Sequence, residues 1–443
     1  MDAFVRTPWT QIGTRTLVKK SRYVHTIRGV RHAGAYDVRR PALFKVSEAE
    51  LQRLEGGAAH GLGELGAVGA EQEGALVRAL NDQRQRRRSS QSGCFTDMRL
   101  SLTERCNMSC DYCFQQTLYP ESRPRMSEET LRETLSWFLG QANQCAVTIQ
   151  YFGGEPMLEW RHLVASHEML EEARSQGVIE GYRESMTTNG TVMTRERARW
   201  LIDREFEVRF SFDGPPEVND LHRVMRNGTG SSERALRGLR NWVDEGGETA
   251  ILMTVTPENL RSLPGHVKWF LEQDDLQLAQ IGINSPQPNA EGWETGGPEL
   301  AETIFEIWQE CNKRGIKFHG PGTQIPQYIN SGRPQQRSCA DSAWMTDGPG
   351  QWPVYVAADG RRSLCLVHHN DKRVAFDAAS EKTRAREWHF SHGVPLDCDA
   401  CPALTVCGGP CVLERLLWGD NLASQKCGFM RTMLDLVIRD ELS

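Results

Sequence analysis

Cys106-Asn107-Met108-Ser109-Cys110-Asp111-Tyr112-Cys113 sets three thiols within eight residues. Three thiolates at this spacing can hold three corners of an iron–sulfur cube and leave the fourth iron without a protein ligand. Just before it, Met98-Arg99-Leu100-Ser101-Leu102-Thr103 alternates as a strand does. Just after it, Ser127-Glu128-Glu129-Thr130 opens a helix whose Leu131, Leu135, Phe138 and Leu139 share one face. The cysteines therefore belong to a loop at the C-terminal end of a strand, where open α/β folds keep their chemistry. With 13 Cys in 443 residues, such a triplet arises by chance in about one chain in a hundred. Zinc, the competing reading, prefers four protein ligands with paired spacing.

The Cys-x3-Cys-x-aromatic-Cys signature, with Tyr112 as its aromatic residue, resembles that of the radical S-adenosylmethionine enzymes. The resemblance implies a [4Fe–4S] cluster on Cys106, Cys110 and Cys113 whose open iron is chelated by the amino and carboxylate groups of S-adenosylmethionine. One electron from the cluster, supplied by a low-potential donor of the flavodoxin or ferredoxin type, then cleaves the carbon–sulfur bond. The resulting 5′-deoxyadenosyl radical abstracts a substrate hydrogen, and the protein supplies position and shielding.

Composition narrows the rest. The length calls for two or three domains. Hydrophobic content of 39% with 25% charged residues reads as soluble, and a net charge of −6 gives no electrostatic argument for nucleic acid. The first residues lack an apolar signal core and no stretch of 18 apolar residues occurs, so the expectation is a cytoplasmic protein that does not enter a membrane. In a reducing compartment the cysteines argue for metal rather than disulfides. None precedes Cys94, and seven lie between Cys339 and Cys427.

Residues 1–82 read as a small α+β module. Tyr23–Ile27 and Ala42–Val46 have strand character, Ser47-Glu48-Ala49-Glu50 is a capping box, and a second helix is expected near Ala70–Leu80. This element order is similar to the leader-recognition domains fused to many peptide-modifying members of the family, which bind a leader as an added strand; an ordinary N-terminal cap is the alternative. The polar run Asp82–Gly93 follows, and residues 83–94 are assigned as a linker. Residues 95–320 alternate strand and helix. The strand candidates are Met98–Thr103, Val147–Phe152, Arg183–Thr188, Glu207–Asp213, Thr249–Val255 and Leu278–Asn284, with Arg161–Ser175 and Ser231–Glu245 among the helices. Such βα units predict a parallel sheet with right-handed crossovers. The family's layout, a (β/α)6 partial TIM barrel, matches this expectation.

Phe152-Gly153-Gly154-Glu155-Pro156 ends the second strand. Glycines permit close backbone approach to a ligand, and Glu155 offers an acceptor to an ammonium group. The resemblance assigns Gly153, Gly154 and Glu155 to the amino group of S-adenosylmethionine. It likewise places Thr188 and Asn189, from Thr187-Thr188-Asn189-Gly190, at the cofactor, and Ser211 and Asp213, from Ser211-Phe212-Asp213-Gly214, on the ribose side. Plain turn chemistry is the alternative for each. Ile281-Gly282-Ile283 is a weaker candidate for packing on adenine.

Residues 321–443 carry Cys339-x20-Gly360-x4-Cys365 and then Cys398-x2-Cys401-x5-Cys407-x3-Cys411-x15-Cys427. This pattern resembles the SPASM extension, which implies two auxiliary [4Fe–4S] clusters. Carried over, Cys398, Cys401, Cys407 and Cys427 would hold the outer cluster, and Cys339, Cys365 and Cys411 the inner one. An eighth cysteine is lacking between Ala340 and Leu364, so the inner cluster has an open iron or a non-cysteine ligand such as Asp341 or Cys311. Zinc is again the competing metal. Cys94, Cys145 and Cys311 read as buried small hydrophobes.

Together these features predict an enzyme with three [4Fe–4S] clusters that modifies a peptide or protein. The preferred substrate is a ribosomally made precursor peptide, cross-linked through carbon–carbon or thioether bonds. Formylglycine formation in a sulfatase, thioether maturation of an enzyme subunit, and a non-catalytic metal scaffold are the alternatives. No spacing singles out a catalytic base.

Overall fold

The computed structural model describes residues 20–59, 62, 65–66, 74–89, 94–113, 115, 123–142, 144–284, 296–332, 351–363, 365–366, 375–376, 395–409 and 412–443. Cys339, Asp341 and Cys411 lie outside these residues.

The six strands read from sequence form the middle of one sheet. They are β4 (Cys94–Thr103), β5 (Val147–Gly153), β6 (Tyr182–Thr188), β7 (Glu207–Ser211), β8 (Thr249–Thr254) and β9 (Leu278–Asn284). All neighbouring pairs are parallel and in chain order. A helix crosses between successive strands, as parallel pairing requires. The helix Glu128–Gln141 starts where Ser127 accepts from the Thr130 N–H, and it buries Leu131, Leu135, Phe138 and Leu139 as its spacing predicts. Met98, Leu100 and Leu102 of β4 meet that face in the main core.

The sheet is wider than six strands. β10 (Lys317–His319) extends it beyond β9, and β11 (Gln351–Val356) lies parallel beside β4, followed by the antiparallel pieces β12 (Arg362–Ser363) and β13 (Ala375–Phe376). The tail thus begins as a continuation of the barrel sheet. Gly360, the glycine of the tail pattern, takes φ +83° in the β11–β12 turn, a conformation glycine adopts without penalty.

The N-terminal module is a three-stranded antiparallel sheet, β1 (Val24–Arg28), β2 (Ala33–Asp37) and β3 (Ala42–Val46), with α1 (Glu48–Glu55) and α2 (Ala75–Ser89). The capping box at Ser47 and Glu50 is present in full. β2 escaped the sequence reading because Gly34 and Ala35 are poor strand formers; at Gly34 the Leu442 side chain packs close, with Cδ1 2.8 Å from where a Cβ would stand. α2 begins later than expected and runs through Ser89, into the run assigned as a linker. Its arginines and glutamines are good helix formers, and polarity alone does not exclude a helix. Among the described residues, no helix is long and apolar enough to cross a membrane.

Candidate active site

The three cysteines lie in the loop after β4, half-buried. Backbone pairing from residues 222–230 fixes the loop's outer side. The Ser109 N–H donates to Val224 O at 2.8 Å, Asp111 N–H to His222 O at 3.3 Å and Arg226 N–H to Asn107 O at 3.1 Å. The end of β5 fixes its inner side: Gly154 N–H donates to Thr103 O at 2.8 Å and Glu155 N–H to Arg105 O at 2.9 Å.

That second contact explains Gly153 and Gly154. A Cβ on Gly154 would lie 2.0 Å from Arg105 O, and one on Gly153, at φ +119°, would lie 2.1 Å from Ser101 Oγ. The close approach permitted here is between the strand end and the cysteine loop's own backbone. It delivers Glu155 beside Cys106.

Glu155 is 1% exposed. One oxygen accepts from Thr188 Oγ1 at 2.8 Å and from the Met157 N–H at 3.0 Å, and the other from the Asn189 N–H at 2.8 Å. Thr188 and Asn189, picked from sequence, therefore surround this carboxylate. Burial raises its pKa above the ordinary carboxylate range, against the pull of those donors. Asn189 Nδ2 also donates to Asn107 Oδ1 at 2.9 Å and points toward Cys106 Sγ at 3.8 Å, while Asn107 Nδ2 donates to Thr191 Oγ1 at 2.8 Å. Asn107 and Thr191 were not picked from sequence; their role depends on a contact more than eighty positions apart in the chain.

Asp213, expected on the ribose side, also has a place in the scaffold. It is 1% exposed. Oδ1 accepts from the Thr254 N–H at 2.8 Å and Oδ2 from Tyr112 OH at 2.5 Å. Arg223 donates to the same Tyr112 hydroxyl at 2.5 Å and lies 3.8 Å from Asp213. Both carboxylate oxygens are engaged, and the trio pins the cysteine loop to β7 and β8. Ser211, half-buried at the end of β7, projects to the face opposite buried Phe210 and Phe212. Ile281 and Ile283 are buried at 0% and 2% exposure in the main core, so they are not presented to a ligand.

Arg223 was missed by the sequence reading. Burial works against its charge, but Tyr112, Cys110 and Asp213 outweigh that and hold the guanidinium protonated. Burial pushes the Cys106 thiol up to about 12, with Glu155 and the other two cysteines acting the same way. It pushes Cys110 up to about 11, with Arg223 opposing. Three mutually sensed thiols beside a buried carboxylate suit a cationic centre, which deprotonates such ligands on binding. Among the described residues no three His, Cys, Asp or Glu side chains sit close enough for a single metal ion.

In the tail, Cys398, Cys401, Cys407 and Cys427 come together. Burial pushes the Cys398 thiol up to about 12, and Asp397, Cys427, Cys401 and Cys407 add to it. Cys365 follows β12, with its N–H bonded to Ser363 Oγ at 3.0 Å. Cys311 is 0% exposed inside the helix Gly297–Lys313 and packs in the main core, as a buried small hydrophobe does. Cys145 is half-buried and Cys94 opens β4.

Residues 100–270 match the Radical SAM superfamily. Among curated relatives, the chain is 30% identical over 223 residues to Fe-coproporphyrin III synthase of Methanosarcina barkeri, covering 49% of this chain and 52% of that one. It is 29% identical over 216 residues to a cysteine-type anaerobic sulfatase-maturating enzyme of Clostridium perfringens, covering 46% and 58%. The matches thus span about half the length of these relatives. The solved structure of native anSMEcpe with bound AdoMet superposes with a TM-score of 0.62 at 20% identity, over 78% of this chain and 100% of that one, and shares its fold.

Proposed function

We propose, for a chain whose residues 100–270 carry a radical S-adenosylmethionine domain, that it modifies a polypeptide by hydrogen abstraction. The preferred reaction closes an intramolecular carbon–carbon or thioether cross-link in a ribosomally made precursor peptide. A [4Fe–4S] cluster with S-adenosylmethionine, held by Cys106, Cys110 and Cys113, supplies one-electron cleavage and the abstraction of a substrate hydrogen. Glu155, fixed by Thr188 and Asn189, accepts the cofactor's ammonium group. Arg223, charged and buried beside Cys110, sits on the side suited to its carboxylate. Ser211 is the remaining ribose-side donor. Asp213 and Tyr112 keep the loop in place.

The observation that carries the polypeptide reading is the second cysteine centre in the tail. Cross-link formation leaves an electron to remove after the new bond forms, and a metal centre on Cys398, Cys401, Cys407 and Cys427 offers a destination for it. The N-terminal sheet supports a leader-bearing substrate, since β1 and β3 each pair on one side only among the described strands. Formylglycine formation is the second reading, favoured by the likeness to the sulfatase-maturating enzyme.

Iron, sulfide and zinc per chain after anaerobic purification test the metal assignment. About twelve irons, falling to about eight in a Cys106/Cys110/Cys113→Ala variant, are expected. Zinc in the tail, or iron unchanged in that variant, would overturn the assignment. With a candidate peptide, mass spectrometry separates the products: loss of two hydrogens marks a cross-link, and conversion of a thiol to an aldehyde marks formylglycine.

A further inference from the structure

We propose that Asp399 ties the N-terminal module to the loop of the outer auxiliary cluster, so that loading of this cluster gates docking of the module. The inference rests on the reading of Cys398, Cys401, Cys407 and Cys427 as cluster ligands. It adds a function for a residue between the first two.

Asp399 is 2% exposed although it carries a carboxylate. Every donor to it among the described residues comes from the N-terminal module. Gly74 N–H donates at 2.9 Å, Leu76 N–H at 3.1 Å and Val77 N–H at 3.2 Å; Tyr23 OH donates at 3.1 Å, and Arg22 lies at 3.5 Å. The first three are the orphan donors that open α2. A helix start leaves such groups unsatisfied, and a nearby side chain usually caps them. Here the cap is supplied in trans, from a residue 322 to 325 positions away. An anionic acceptor at a helix N-terminus is the favourable sign for the helix dipole.

Asp399 projects from a tight turn between two candidate ligands. Cys398 N–H bonds to Pro395 O at 3.1 Å and Cys401 N–H to Cys398 O at 3.0 Å. Tyr36 of β2, fully buried, lies within electrostatic range of Cys401 on the same turn. A cluster spanning Cys398, Cys401, Cys407 and Cys427 would fix the turn, and with it the direction of the Asp399 carboxylate. That bridge would add a fixed constraint to a turn otherwise held by short-range backbone bonds, the packing of its cysteines on the core and the Asp399 contacts themselves. Other anchors of the module are independent of the turn: the N–H groups of Arg31 and His32 donate to Leu442 O at 3.4 and 3.1 Å, and Arg439 donates to Arg28 O at 2.9 Å. Loss of the cluster should therefore loosen the start of α2, whose Val77 and Leu80 remain packed in the main core, while β1 and β2 stay attached.

Amide hydrogen exchange read by mass spectrometry tests this on the full chain, with iron measured on the same samples. A Cys398→Ala/Cys401→Ala variant should lose about four irons and exchange about tenfold faster across residues 74–80, the size expected for a lost helix cap. Asp399→Asn should keep its iron and show the same acceleration. Tyr23→Phe, which leaves the backbone donors intact, should give a smaller one and serves if Asp399→Asn does not fold. The helix Trp160–Ser175 should exchange at an unchanged rate throughout. Iron loss without faster exchange at 74–80 overturns the gating while leaving the cluster assignment standing. Iron retained in the double variant overturns the assignment, and the gating with it.

Discussion

Gly154→Ala probes the logic of the site most directly. The added methyl would begin 2.0 Å from Arg105 O, 2.4 Å from the Arg105 carbonyl carbon and 2.8 Å from that of Glu104. All three are backbone atoms, so no side-chain rotation relieves the clash. Reaching ordinary contact requires a separation of about 1.4 Å between the β5 end and the cysteine loop. That movement stretches the bonds from Gly154 N–H to Thr103 O and from Glu155 N–H to Arg105 O, now 2.8 and 2.9 Å, past hydrogen-bonding range. Two buried backbone bonds at about 1 kcal/mol each, plus the cost of donors left unpaired, put the local loss at about 3–5 kcal/mol. The loop bearing Cys106 and the carboxylate of Glu155 would separate together.

The expected outcome is a chain that folds, keeps its tail iron, and loses most of the iron assigned to Cys106, Cys110 and Cys113. Iron analysis, calorimetric titration with S-adenosylmethionine and a thermal melt read these in turn. Gly140→Ala is the control: it lies in the helix Glu128–Gln141 with nothing within 4 Å of its would-be Cβ. Alanine there should be neutral or stabilise by about 0.5–1 kcal/mol. A Gly154→Ala protein with full iron and cofactor affinity within about twofold of wild type would refute the account of why this strand ends in glycine.

Three further substitutions separate binding from scaffolding. Glu155→Gln retains the shape and most of the hydrogen bonds but removes the buried charge, so affinity for S-adenosylmethionine should fall at least about tenfold with iron content unchanged; unchanged affinity would remove Glu155 from the ammonium site. Asp213→Ala leaves Arg223 buried without its carboxylate, a change worth about 3–5 kcal/mol, and should appear as a lowered melting temperature before any specific loss of cofactor binding. Ser211→Ala should do the reverse, weakening cofactor binding a few-fold with the melt unmoved. If Asp213→Ala lowers affinity with no change in the melt, Asp213 is a ligand after all.

The parts legible in the sequence are those written locally. Hydrophobic periodicity revealed the six central strands, capping residues placed the helix starts at Ser47 and Ser127, and cysteine spacing located both metal-suited loops. What stayed hidden depends on partners far apart in the chain. Nothing around Arg223 marks it as buried, yet its guanidinium is held by Tyr112 and Asp213 from two other elements. Asp213 was read as a ligand because it ends a strand in a Ser-x-Asp-Gly turn; its bonds to Thr254 and Tyr112, which tie the cysteine loop to β8, could not be read from that turn. Gly153 and Gly154 were read as sites of close approach, and the fold adds a neighbour the sequence did not name, the cysteine loop's own backbone, since a glycine records that something comes near and not what. The same reasoning applies to Asp399. Read locally it is one polar residue in a Cys-x2-Cys turn, whereas in the fold it is where the first and last parts of the chain meet. A residue that satisfies three helix N–H groups and a tyrosine in another module has no acceptor left for a metal, so its function has to be sought in the contact it makes.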